Sequence, residues 1–413
     1  MKINTTNLKL ILTVALITFC IQTPDVKLGF VKISELILLL IAPFLLKKKI
    51  NKFIFYFFVF FTIEAILGLI ITSTHRFAIL GPSTFKSPYI ITIARYFELI
   101  SCISLCIITF RLFKEQSTES KKIINYLVDW NVGISIFFFF LYLLVKVHVL
   151  PIQHSIVIYD NYRLRGLYNE GGPYGLMLSF IFILTFFQEN TTKRFLKQLF
   201  LFVIIGFFAR SKAGVLFAVI WIGLYNFEIL KNKLRILFLP LTVVFLTGFY
   251  FLFVNISEMY ITELNRVKLS IKERPTDINL ILGRVAGIYI VPNMVVENPV
   301  FGIGLGNYPL LRNNAEYRSF FPKPLKESID IDAHGFGGMV DILVEMGIVG
   351  LFFFMFIVFG LRKEVKNRRK GTVFILGFVL IYCFGVQIYF LYPWVLLAII
   401  LAYRNNYIDE ISN

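Results

Sequence analysis

Gly283–Tyr308 reads GRVAGIYIVPNMVVENPVFGIGLGNY. After a polar run ending in DIDAHG at Gly335, the chain continues FGGMVDILVEMGIVGLFFF from Phe336 to Phe354. An apolar stretch, a glycine-rich turn and a polar run lead straight into a hydrophobic helix, with one histidine, His334, at the junction. This is part of the only long polar interval in an otherwise oily chain. It reads as a chemically active loop, with the rest of the chain holding it at a membrane surface.

Composition supports the membrane half of that reading. The chain is 57% hydrophobic and 16% charged, with 47 Phe and a mean hydropathy of +0.76. Soluble domains average about 45–50% apolar and about 25% charged residues. A helix of about 20 apolar residues, at about 1.5 Å rise each, crosses a hydrocarbon core of about 30 Å. Twelve spans are predicted, over 8–22, 30–46, 53–72, 89–110, 123–149, 173–188, 196–209, 213–230, 234–254, 336–361, 372–387 and 389–403. The fold class expected is an all-α polytopic membrane protein. It divides into a bundle over 1–254, a large loop over 255–335 and three last spans over 336–413. The net charge of +17 does not imply nucleic acid, because a DNA reader needs its basic residues on a soluble face.

The positions of the charges orient the bundle. Lys and Arg collect in alternate connections, among them Lys47–Lys49, Arg111 to Lys122, Lys193 to Lys197, Lys231 to Arg235 and Arg362 to Lys370. Short cytoplasmic loops carry this excess, so both termini are expected in the cytoplasm and 255–335 outside. The four cysteines, Cys20, Cys102, Cys106 and Cys383, lie in apolar segments and read as buried inert thiols.

Cations that break this charge bias then stand out. YDNYRLRGLYNEGGPYGLML carries Arg163 and Arg165, FARSKAGVL carries Arg210 and Lys212, and the long loop carries Arg284. Three loops thus bring cations to the outer side. Arginine forks match phosphate oxygens bidentately, while the plainer reading is snorkelling to lipid head groups.

These residues resemble a family. RLRGLYNEGG, ARSKAGVL, and GRVAGIYIVPNMVVENPVFGIGLGNY followed by DAHGFGGMVDILVEMGIVGL are similar to the ordered motifs of the O-antigen polymerase and O-antigen ligase superfamily. The resemblance covers about 155–361. It implies a GT-C-like glycosyltransferase, independent of metal and of any other cofactor, in the bacterial plasma membrane. Its donor would be a glycan on undecaprenyl diphosphate. The implied partners are that lipid-linked glycan and the bilayer, with a chain-length regulator as a further candidate, and no nucleic acid. It also implies that Arg284 holds the diphosphate, that His334 approaches the acceptor hydroxyl, and that Arg165 or Arg163 is the arginine before the Gly-aromatic step. Lys212 stands where the ligase branch carries arginine. His334 stands thirteen residues before Gly347, further than in that branch. Both departures favour the polymerase branch.

The chemistry of the residues agrees. Arginines stabilise a leaving diphosphate through charge-assisted contacts, and a histidine with a pKa near about 6.5 can accept a hydroxyl proton. Asp330, Asp332, Asp277 and Glu170 are outer carboxylates, candidates for the base or for sugar hydroxyls; Asp332 is also a candidate to orient His334. His75, His148 and His154 read as structural or solvated. Arg95, Glu98, Glu64 and Asp341 are charges within or at the head of spans. Such charges pair and face the interior, and Arg95 and Glu98, three apart, are expected to pair. GIGLGNY is not a dinucleotide fingerprint, since no βαβ context surrounds it. The alternatives are an O-antigen ligase or protein O-glycosylating relative, and a lipid-linked oligosaccharide flippase. A flippase is expected to show internal repeats, and none is evident here.

Overall fold

The computed structural model describes residues 5–29, 31–47, 49–78, 80, 87–149, 157–159, 162–233, 261–262, 264–324, 336–364, 368–405 and 407–408. Helices dominate. In chain order they begin with α1 (Thr5–Gln22), α2 (Ile33–Leu46), α3 (Lys52–Thr74), α4 (Pro88–Glu115) and α5 (Ser120–Lys146). Next come α6 (Gly171–Thr185), α7 (Thr192–Val203) and α8 (Lys212–Lys233), then the shorter α9 (Val267–Glu273), α10 (Ile278–Leu282), α11 (Arg284–Glu297), α12 (Tyr308–Leu311) and α13 (Ala315–Arg318). The last three are α14 (Gly338–Gly360), α15 (Arg368–Cys383) and α16 (Leu391–Arg404). Among the described residues the only strands form two antiparallel hairpins, β1 (Lys27–Leu28) with β2 (Val31–Lys32) and β3 (Ile158–Tyr159) with β4 (Arg163–Leu164).

A helix stands over each predicted span except 234–254, which lies outside the described residues. Among the described residues, five segments are long and apolar enough to cross a membrane unaided: Lys52–Thr74, Pro88–Glu115, Ser117–Lys146, Leu280–Glu297 and Gly338–Gly360. Other apolar helices are shorter, such as Ile33–Leu46 with 14 residues and Gly171–Thr185 with 15, short of the roughly 20 that a span needs. Leu280–Glu297 belongs to the predicted loop; it owes its length to α10 and α11 meeting at Gly283. Large apolar side chains line the exposed faces, including Ile63, Ile66 and Ile70 of α3, Phe137 and Phe140 of α5, and Phe352 and Phe356 of α14. Water tolerates such continuous apolar faces poorly, whereas lipid tails match them. The chain is an all-α membrane protein.

Two compact units make up the chain. The first comprises 1–61, 97–222 and 354–413. Its centre is α16, in which every residue is buried, as expected of a helix that is apolar on all sides. It packs against α1, α6 and α15, and Trp394 donates to the Ile388 carbonyl at 2.8 Å. Polar side chains link the helices where apolar packing alone would leave their register open. Gln22 donates to Asn131 across α1 and α5 at 2.8 Å, and Lys32 reaches both Glu35 (2.9 Å) and Glu98 (3.2 Å).

The second unit comprises 62–96 and 223–353. Its core gathers Ala286, Ile290 and Met294 of α11 with Ile303, Tyr308, Leu311, Tyr317 and Val344. The GIGLG turn is built into this core. Asn307 donates to Thr72 at 2.8 Å, and Thr92 to the Leu305 carbonyl at 2.9 Å. Helix α14 breaks at Gly347 (φ 67°, ψ −171°), and the turn fills the break with backbone. Ile303 and Gly304 N–H donate to the Val344 and Glu345 carbonyls, each at 2.9 Å. Ile348 and Val349 N–H donate to the Pro299 and Val300 carbonyls at 2.9 and 3.2 Å. A broken apolar helix is tolerated only where its freed groups find partners, and these four bonds supply them. A Cβ on Gly302 would stand 2.5 Å from the Val344 oxygen, so the motif's glycines serve close backbone packing. Near the head of α14, Asp341 accepts from Gly337 N–H at 2.9 Å and lies within Coulomb reach of Arg95.

Candidate functional site

In the first unit the RLRGLYNEGG segment turns a strand into a helix. Leu164 pairs with Ile158, and Arg165 N–H donates to the Val157 carbonyl at 2.9 Å. Gly166 then turns at φ 57° beneath the Tyr174 ring. Tyr168 is anchored by its hydroxyl to the Ile21 carbonyl at 2.7 Å, and Asn169 N–H by Asp25 at 2.9 Å. Helix α6 starts on Gly171, with Glu170 extended at its N-cap, exposed and without a side-chain capping bond.

The second half of this corner comes from the ARSKAG turn. Helix α7 ends in a π-helical turn, Ile204–Phe208, and Arg210 adopts φ 51°, a left-handed conformation uncommon for residues other than glycine. The reversal aims α8 back so that its first turn packs on that of α6. Ser211 donates to the Gly172 carbonyl at 3.0 Å and accepts from Gly214 N–H at 3.2 Å. A Cβ on Gly175 would lie 2.2 Å from the Ser211 Cβ, so only glycine permits this approach. Two helix N-termini, each carrying a partial positive charge, therefore lie side by side.

Four predicted cations surround them. The Arg163 Nε donates to the Ala209 carbonyl at 3.2 Å, which ties the hairpin to the turn. Arg165 donates to the Asn169 carbonyl at 3.0 Å, while its buried Nε meets no hydrogen-bond partner among the described residues. The Arg210 guanidinium stacks 4.6 Å from the Tyr162 ring centroid, and Lys212, exposed, opens α8. Paired helix N-termini with arginine forks form a setting for phosphate oxygens.

The second unit holds Arg284, exposed at the first position of α11 behind an extended Gly283. Two arginines that the sequence reading passed over support it. Arg312 and Arg318 are each 1% exposed, a rare state for arginine unless its donors are satisfied. Arg318 donates to the carbonyls of Ile281 (3.0 Å), Arg312 (3.0 Å) and Pro322 (2.9 Å). Arg312 donates to the Leu282 carbonyl at 3.3 Å. Together they satisfy carbonyls at the end of α10, just before Gly283 and Arg284. Burial and the neighbouring Arg312 pull the Arg318 pKa down to about 10, so it stays charged at neutral pH. Their signal in the sequence was two arginines flanking NNAEY, in a loop expected to be poor in positive charge.

The remaining candidates separate cleanly. Asp277 caps α10, accepting from Leu280 N–H at 3.3 Å, and pairs with Arg274 at 3.1 Å; it has a structural role here. His334, Asp332, Asp330 and His154 lie outside the described residues.

Helical spans joined by cation-bearing polar turns define a membrane protein. Residues 198–355 match the family model described as O-antigen ligase. The matched segment takes in most of the motifs on which the resemblance to the O-antigen polymerase and ligase superfamily rests. It spans Arg210, Lys212, Arg284, His334 and both halves of the Gly302–Gly347 packing, and it stops short of Arg163, Arg165 and Glu170. A search of curated proteins returns no match.

Proposed function

We propose that the protein polymerises lipid-linked polysaccharide repeat units on the outer face of the bacterial plasma membrane. In this reading both termini are cytoplasmic and 255–335 is extracytoplasmic. The donor is a glycan on undecaprenyl diphosphate. The acceptor hydroxyl attacks the anomeric carbon, the bond from that carbon to the diphosphate oxygen breaks, and the hydroxyl proton passes to His334. Arg284 is assigned to the diphosphate. Arg163, Arg165, Arg210 and Lys212 are assigned to phosphate oxygens of lipid-linked substrate, and Asp332 and Glu170 to sugar hydroxyls. Charge stabilisation thus comes from guanidinium and ammonium groups, without a metal ion. The observation that carries the reading is the family match across the Arg284 loop. Lys212 in place of an arginine and the displaced His334 favour a polymerase over a ligase.

Deleting the gene tests the reading. A polymerase leaves surface glycan of one repeat unit; a ligase leaves none, with long polymer stranded on the carrier lipid. Glycan unchanged in length and attachment rules out both. A single displacement also inverts the anomeric centre, so retained configuration between donor and product removes His334 as the base of such a step.

A milder variant probes the first unit. Arg165→Lys keeps a positive charge but loses the fork. Hydrogen bonds to charged groups contribute about 1.5–3 kcal/mol, so polymer output is expected to fall by about tenfold or more at unchanged protein level. Wild-type output would release Arg165 from substrate contact.

A further inference from the structure

The second unit contains a polar cavity of about 550 Å³ between the end of α3, the end of α11 and the α13 turn. Its lining includes His75, Arg76, Glu297, Asn298, Glu316 and Tyr317. From the sequence, His75 reads as structural or solvated. The volume falls within the range of about 300–1,000 Å³ common to small-molecule sites.

The cavity is built rather than incidental. Asn314 joins its walls, accepting from Ala78 N–H at 2.8 Å and donating to the Arg76 carbonyl at 2.7 Å and to Glu316 at 3.1 Å. Asn298 donates to the Tyr317 hydroxyl at 3.2 Å, which orients both side chains. The Nε2 of His75 is buried and meets no hydrogen-bond partner among the described residues. Burial lowers the His75 pKa, with Glu316 opposing; the imidazole is therefore neutral near pH 7 and able both to donate and to accept.

Charge selects the occupant. A purely anionic ligand would face Glu297 and Glu316, and a purely cationic one would face Arg76 and Lys323, which also lines the cavity. An apolar ligand would strip water from all of them without compensation. A neutral polyhydroxylated ligand suits every group, because each hydroxyl donates to a carboxylate or accepts from an amide, ammonium or guanidinium. We infer that this cavity is a saccharide subsite, holding a neutral sugar of the glycan chain. The assignment rests on the glycan-transfer reading for the identity of its ligand, and on the cavity alone for its chemistry.

The test uses the full-length protein in detergent and, as probe, the repeat-unit oligosaccharide released by mild acid from the host's own surface glycan. It lacks the diphosphate, so it reports sugar contacts only. Binding is followed by saturation-transfer NMR and calorimetry. Wild type is expected to bind, the Glu297→Gln/Glu316→Gln double variant at least about tenfold more weakly, and Arg284→Ala as wild type. Both glutamates are exposed, so the fold should survive, and an unchanged melting temperature checks this. Equal binding by the double variant, or no binding by wild type, overturns the subsite. If the oligosaccharide binds as expected while gene deletion leaves surface glycan unchanged, the subsite stands and the transfer reading falls.

Discussion

Gly347→Val is expected to remove most of the folded protein from the membrane. The backbone there sits at φ 67°, which costs a side chain with a Cβ about 1–2 kcal/mol, and a β-branched one more. A Cβ would stand 2.2 Å from the Val300 oxygen and 2.6 Å from the Gly302 nitrogen. Both are main-chain atoms, so no side chain can swing aside. Relief requires separating the turn from α14, and with it the four backbone bonds that fill the break. At about 0.5–1.5 kcal/mol net per bond, the total is about 3–8 kcal/mol, against a usual stability of about 5–15 kcal/mol. Fluorescence-detected size exclusion of a tagged protein measures the outcome. Gly133→Ala is the control, because a Cβ on Gly133 meets nothing within 4 Å. Normal accumulation of Gly347→Val would contradict the packing described for the turn.

Arg284→Ala and His334→Ala are expected to abolish polymer while leaving protein level unchanged. Arg284 is exposed, and exposed substitutions away from special features usually stay within about 0.5 kcal/mol. A lost transition-state contact, by comparison, costs about 10²–10³ in rate, and a lost general base about 10²–10⁴. Arg284→Lys should recover part of the activity by restoring charge without the fork. The readout is a glycan ladder compared with an immunoblot of the protein. Polymer at wild-type length in either alanine variant removes that residue from the mechanism. Arg318→Met should mimic Arg284→Ala only if the carbonyls of Ile281 and Leu282 lose their order, and so it separates presentation of Arg284 from its chemistry.

The helices were legible because membrane and core both demand continuous apolar runs. For the same reason hydropathy could not tell which helix was central: α16, buried on every residue, looks in sequence like α3, which exposes Ile63, Ile66 and Ile70. Length was less legible. Helix α6 starts at Gly171, ahead of the predicted 173, but ends at Thr185 instead of 188, and it remains shorter than a full span. Of the candidate site, the cations of the first unit were readable as violations of charge bias. Their convergence depends on a π-turn and a left-handed Arg210, both tertiary choices with no periodic signal. Arg312 and Arg318 were missed because burial turns an arginine from a surface charge into a carbonyl clamp, and sequence does not show burial. Gly347 carries no sequence signal of its backbone conformation. Its positive φ arises only because Val300 and Gly302 arrive from forty-odd residues earlier in the chain.

That separation carries a consequence for biogenesis. Pro299–Gly304 leaves the ribosome before Val344–Val349 does. When α14 emerges, the backbone that will close its gap already exists, and the interrupted segment never has to wait in lipid with bare amides for a later part of the chain. If the two stretches were made in the opposite order, the gap would stand open during synthesis, with several kcal/mol of unsatisfied polar groups in hydrocarbon. The direction of translation is thus compatible with the break, and a circular permutant opened between 304 and 344 would place that compatibility under strain.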